Sequence, residues 1–407
     1  MKKDDSSLSH PIIVHCHLCW DWVWQRPQQF ISRLSRRHPV LFVETIGPDP
    51  NLVAPHVRLM EKNAECPNVT RIRLQFPCWR WGDGKYVDRM RRELVQEALR
   101  GPLAGQFENA VQWFYDPMAF SAFAGKMGEI ATVYDCMDEH SKFNEAHPEL
   151  SRRETELLRK ADVVFTGGRK LWEAKRQHNP NCHFYGCGVD VEHFGRALDA
   201  ETAIPQDIKA LGRPVLGYFG VVDERMDYEL IAKLADANPK WSLAIIGPVL
   251  KVPQHQLPRR PNIHWLGPRD YSQLPAYCKG FDLCLMPFAL NAATEYINPT
   301  KALEYMATGR MIVSSAVPDV VSNFSSVVKV AQSHSSFIDL CRGAIEKPEP
   351  GLIERGLKMA AGNTWESIVA KLEGHVADAL AAKRAGKNGR SSRSNPARSQ
   401  RAKTGKI

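Results

Sequence analysis

Short apolar runs alternate with amphipathic helical stretches along this chain, and the alternation is laid down twice. That order admits few folds. Strands separated by helices pair in parallel, and the helices cover both faces of the sheet. In the first half, strands are expected at Pro11–Leu18, Val40–Glu44, Val69–Phe76, Ala110–Asp116, Ala131–Asp138, Ala161–Thr166 and near Cys182–Gly186. Helices starting at Pro27 and spanning Glu149–Lys160 and Arg169–His178 fall between them. The second half repeats the plan, with strands at Pro214–Phe219, Trp241–Ile246, Asn262–Leu266, Phe281–Pro287, Met311–Ser315 and Ser326–Ala331. The expected fold class is α/β, with two Rossmann-like parallel-sheet domains facing across a cleft, where such folds bind ligands. The expected boundaries are a disordered N-terminus at 1–10, a first domain at 11–195 and a linker at 196–212, where periodicity fades. A second domain follows at 213–350, then helices at 351–382, the last beginning near Thr364, and a disordered tail at 383–407.

Charge narrows the function classes. The net charge of +9 resides in the tail: Lys383–Ile407 holds nine Lys/Arg and no Asp or Glu, so the body is neutral. A neutral body argues against a dedicated nucleic-acid binder, although a basic tail can touch anionic surfaces without specificity. No apolar run is long enough to span a membrane, and the first residues lack the apolar core of a secretion signal. The ten cysteines are scattered through apolar contexts, as buried thiols in a reducing cytoplasm are. The expected location is therefore cytoplasmic, with peripheral contact at the inner face of the plasma membrane left open.

The stretch FDLCLMPFALNAATEYINPTKALEYMATGRMIVSS (Phe281–Ser315) reads as strand, long loop, helix, strand. Asn298 suits an N-cap and Pro299 the first helical position, with the helix running to about Thr308 and ending at Gly309. Thr300, Lys301 and Glu304 share one side of that helix, and Leu303, Met306 and Ala307 the other. Free N–H groups, a hydroxyl and a lysine suit a phosphate, and a carboxylate one turn further suits two ribose hydroxyls. A surface helix with a Lys301–Glu304 ion pair is the plain alternative. Upstream, Gly217–Gly220 closes a strand, and Arg225 follows, able to fork onto phosphate oxygens. A tight turn with a solvated arginine would read the same way. Neither GxGxxG nor GxxxxGK[ST] occurs, which counts against a standard dinucleotide or P-loop site.

Together these pieces resemble the donor-binding domain of GT-B glycosyltransferases, above all the retaining group called family 4, across roughly Gly212–Ile345. The resemblance implies that Gly220 and Arg225 meet a donor diphosphate and that Glu304 holds ribose. It also implies that Thr300 and Lys301 meet phosphate. The family's first glutamate is replaced here by Tyr296, with Glu295 one residue off register. WDWVWQRPQQ and ADVVFTGG resemble a subgroup of bacterial polysaccharide glycosyltransferases. The last helix is then expected to cross back to the first domain.

On the acceptor side, Trp22 and Trp24 alternate with Trp20 in a loop after the first strand, and aromatic faces suit sugar rings. Packing beneath the loop is the alternative. Arg26 and Tyr115 are further acceptor-side candidates. Asp138 and Asp135, at the end of the fifth strand, are the candidate catalytic carboxylates, able to deprotonate an acceptor hydroxyl or to position a sugar; helix capping by Asp138 competes with that role. His15, Cys16, His17 and Cys19 alternate across a strand and so do not converge on a metal. No metal and no cofactor is expected. The reading is a glycosyltransferase acting on a nucleotide sugar, with UDP the expected nucleotide, and a glycan or lipid-linked acceptor. A sugar-nucleotide epimerase of the same fold and a noncatalytic tail-driven binder are the rivals.

Overall fold

The computed structural model describes residues 10–22, 24–142, 146–297 and 299–391. The first domain is built on β1 (Ile12–Cys16), β2 (Val40–Thr45), β3 (His56–Lys62), β4 (Val69–Gln75), β5 (Val111–Phe114), β6 (Ala131–Cys136), β7 (Val163–Thr166) and β8 (Cys182–Phe184). Their order in the sheet is β3-β4-β2-β1-β5-β6-β7-β8. All neighbours pair in parallel except β3, which runs antiparallel along β4. β3 escapes a reading by apolar runs because it is a half-exposed edge carrying Arg58, Glu61 and Lys62, which discourage further pairing.

The second domain uses β9 (Val215–Phe219), β10 (Ser242–Ile246), β11 (Ile263–Gly267), β12 (Leu283–Met286), β13 (Ile312–Ser315) and β14 (Lys329–Ala331), in the order β11-β10-β9-β12-β13-β14 and all parallel. Both sheets reverse strand order once, beside β1 in the first and beside β9 in the second, and such reversals open a crevice at the carboxyl ends of the strands. Separate apolar clusters cover the two faces of each sheet.

Residues 196–212, where periodicity fades, pack in part against the second domain. The turn Arg196–Leu198 and the helix Gln206–Lys209 bury Ala197 and Ile208 in the second core. Helices this short leave no readable period. The chain crosses between domains near Val189 and Asn363–Thr364, and the two crossings pair there, Val189 N–H donating to Asn363 O at 2.9 Å. Gly188 is required at that point, because a Cβ would meet the Trp365 backbone nitrogen at 2.8 Å. The final helix, Trp365–Ser391, lies on the first domain, burying Trp365, Val369, Leu372 and Val376 among Ile12, Val14 and Phe30. It runs past residue 382, where the sequence suggests disorder, with Lys383 paired to Asp162 at 2.8 Å. Among the described residues no helix is long and apolar enough to cross a membrane.

Candidate functional site

The site grows from two glycines. Gly220 directly follows β9 and Gly247 directly follows β10, both with φ of 143°, a conformation open to glycine and strained for other residues. A Cβ on Gly247 would collide with the Gly220 backbone, and one on Gly220 would collide with the end of the Lys301 side chain. Bare backbone and the Lys301 ammonium therefore lie against each other beside the β9/β12 strand-order reversal. Lys301 also stands 5.6 Å over the Tyr218 ring. Its helix spans Lys301–Ala307, shorter than the sequence suggests, with Thr300 at the capping position making no side-chain cap bond. The expected N-cap, Asn298, lies outside the described residues. The Tyr305 hydroxyl fixes the helix to β9 by accepting from Phe219 N–H at 3.0 Å.

Arg225 is not a solvated arginine. Its guanidinium forks onto Asp223, Nε to Oδ1 at 2.9 Å and Nη2 to Oδ2 at 2.6 Å. Asp138, at the mouth of β6 in the other domain, lies close enough to Arg225, Arg26 and Asp223 for all three to act on its proton affinity. Burial dominates and raises its pKa to about 6. Burial likewise raises Glu304 to about 7, opposed by Lys301. Lys301 is pushed down by burial, held up by Glu304 and lowered further by Arg225. Electrostatically, Asp138 of the first domain is linked to Asp223 and Arg225 of the second, and these to Lys301 and through it to Glu304. Cys187 joins them, feeling Arg26, Asp138 and Glu304 and hydrogen-bonding with Thr300.

Other candidates sit elsewhere. Asp135 is fully buried and holds Arg26, with Nε to Oδ1 at 3.0 Å, while Arg26 Nη1 donates to Tyr185 O at 2.7 Å. Tyr115 is buried beside that pair. Asp135, Arg26 and Tyr115 are thus interior groups, drawn in because a buried guanidinium needs a carboxylate and carbonyls around it. Of the tryptophans, Trp20 packs edge-on against Phe42 at 5.2 Å, Trp22 is exposed, and Trp24 stands 6.5 Å from Tyr271 of the second domain. Glu295 pairs with Lys170 of the first domain. His15 stacks on Phe123 at 4.0 Å as a core residue, and no three metal-ligating side chains converge among the described residues.

Sequence reasoning missed Asp223, Gly247, Tyr271 and Cys187. Gly247 was findable, since it follows β10 as Gly220 follows β9. Tyr271 was not: it joins the cleft by accepting from Gln29 Nε2 at 3.3 Å across the domain boundary and by stacking on His193 at 4.2 Å.

Residues 213–344 match the family model for glycosyl transferases group 1. The matched span begins just before β9 and contains Gly220, Arg225, Lys301 and Glu304. Whole-chain comparison decides the architecture. An Escherichia coli trehalose-6-phosphate structure with UDP-2-fluoro glucose bound superposes with a TM-score of 0.66 at 12% identity, covering 91% of this chain and 99% of that one. This chain has the GT-B fold. A sucrose-phosphate synthase from Thermosynechococcus elongatus gives 0.64 at 15% identity, over 92% and 100% of the two chains. In sequence, the GT-B chain is 24% identical over 254 residues to a teichuronic acid biosynthesis glycosyltransferase described as putative, from Bacillus subtilis. That match spans 58% of this chain and 63% of the relative, under two thirds of its length.

Proposed function

We propose that this protein is a glycosyltransferase that moves a sugar from a nucleotide donor to a glycan or lipid-linked acceptor in cell-surface polysaccharide synthesis. The observation that carries the reading is Lys301 seated on the bare Gly220–Gly247 backbone at the strand-order reversal, with Arg225 and Glu304 beside it. Two cations meet a diphosphate, and a carboxylate meets the ribose hydroxyls. The leaving diphosphate is then stabilised by side chains already in place, without a metal or cofactor. UDP is the favoured nucleotide because a fold neighbour was solved with UDP-2-fluoro glucose. Asp138, whose pKa near 6 leaves it mostly ionised at neutral pH, is the carboxylate placed to contact the transferred sugar or the acceptor hydroxyl. We place the reaction in the cytoplasm, on the inner face of the membrane.

A thermal-shift screen across nucleotide sugars tests the reading, since a bound donor raises stability by mass action. Lys301→Ala should keep the fold and lose at least about tenfold in donor affinity, the scale of one charge-assisted contact; unchanged affinity would remove Lys301 from the donor site. Incubating the donor without an acceptor separates the epimerase reading, because only an epimerase converts it.

A further inference from the structure

The first domain carries an aromatic and cationic patch that the donor site does not use. Val53 is 83% exposed and Trp79 64% exposed, and the Trp79 Nε1 donates to Val53 O at 3.1 Å. The indole thus satisfies its one polar group locally and leaves its ring in solvent. Arg80 lies 3.9 Å over the Tyr86 ring and 5.4 Å over Trp79, while Arg89 lies 5.7 Å over Tyr86. Lys85 and Arg89 are exposed on the same turns, Arg89 with Glu93 3.9 Å away one turn further on. The nearby Asp83 is occupied, pairing with Arg80 at 2.6 Å and capping Tyr86 N–H at 3.0 Å.

Position matters as much as composition. The short helix Cys78–Trp81 follows the carboxyl end of β4, and the carboxyl end of β6 leads to Asp138. Because these strands run parallel in one sheet, the patch lies on the cleft-side rim of the first domain. Its exposed apolar groups are few, far short of the 20–30 residues a side that a stable protein interface uses (roughly). A ring that sits at headgroup depth, flanked by cations, matches an anionic bilayer surface instead.

We propose that Val53, Trp79, Lys85 and Arg89 dock this protein on an anionic lipid surface, holding the cleft rim against the bilayer. For a lipid-linked acceptor this would deliver the substrate to the cleft, a consequence that rests on the glycosyltransferase reading. The test is flotation of the full-length protein with vesicles of phosphatidylcholine containing about 30% phosphatidylglycerol, and with phosphatidylcholine alone. The expected result is binding to the anionic vesicles. Val53→Ser with Trp79→Ser, and separately Lys85→Glu with Arg89→Glu, should each lower partitioning by about tenfold or more. The basic C-terminal segment is present throughout, so its contribution cancels. Wild-type partitioning by both variants would overturn the proposal. So would a change of sedimentation in lipid-free solution, which would make a second copy the occupant. Donor-induced thermal shifts on the same variants should be unchanged, so this proposal and the donor-site reading fail separately.

Discussion

Glu304 should make donor binding depend on pH in a defined direction. Its carboxyl, raised to about 7 by burial, is half protonated at neutral pH and protonated below it. A protonated carboxyl loses acceptor capacity toward ribose hydroxyls, so donor affinity should fall as pH drops through 7, by up to about tenfold per pH unit. Stability without donor runs the other way. The folded protein holds this proton up to about pH 7 and the unfolded chain releases it near 4.5, so the group's contribution shrinks as pH rises between those values. Calorimetric titration of donor between pH 5.5 and 8.5 (roughly) checks the first effect, and Glu304→Gln should flatten it. A pH dependence unchanged in that variant would assign the titration to another group, such as Asp138. Lys301, Glu304 and Arg225 of the proposed site stood out in the sequence because residue types suited to a nucleotide lie close to a glycine turn. The pairing of Asp135 with Arg26 was hidden because a strand-end carboxylate looks the same in sequence whether it faces a cleft or an interior arginine.

Among the elements, the last helix matters most to the assembly of the whole. It begins with Trp365, 2% exposed and edge-on to Phe30 at 5.5 Å, at the point where the two crossings pair. Its polar side is tied down by Glu366 to Arg33 at 2.6 Å and by Glu373 to His38 at 3.2 Å. Trp365→Ala should cost about 3–5 kcal/mol, the usual range for emptying a buried aromatic site. Chemical denaturation followed by a spectroscopic probe reads it, and a loss under about 1 kcal/mol would mean the helix is dispensable to the fold. The helix start near Thr364 was visible as a capping signal, whereas its length was hidden by a polar, basic end that composition alone assigns to disorder. Likewise β3 was hidden because an edge strand keeps charges that a central strand cannot.

The whole molecule is held together across its cleft by a clasp that no local pattern announces. Asp319 of the second domain, 2% exposed, accepts from Arg169 N–H at 2.7 Å and Lys170 N–H at 3.3 Å at the start of a first-domain helix. Gly168 leaves the room for it, since a Cβ there would meet Asp319 Oδ2 at 2.8 Å. Lys170 adds its pair with Glu295. Asp319→Ala should cost this arrangement about 2 kcal/mol, a buried charge-assisted contact, and loosen the two lobes. Small-angle scattering of the donor-free protein should then show a larger radius of gyration, while an unchanged radius would mean the clasp does not set the lobe spacing.

The order of apolar runs and helical stretches was enough to specify two parallel sheets, and the glycine, lysine and glutamate spacing was enough to single out the proposed donor site. Both are properties of short segments, and segment periodicity survives in a linear string. Which carboxylate faces the cleft, what Glu295 and Arg225 pair with, and how Tyr271, Cys187 and Asp319 join residues far apart in the chain were decided only by the packing of one domain on the other. Burial and pairing depend on neighbours brought from distant positions, and a single sequence carries no record of those distances.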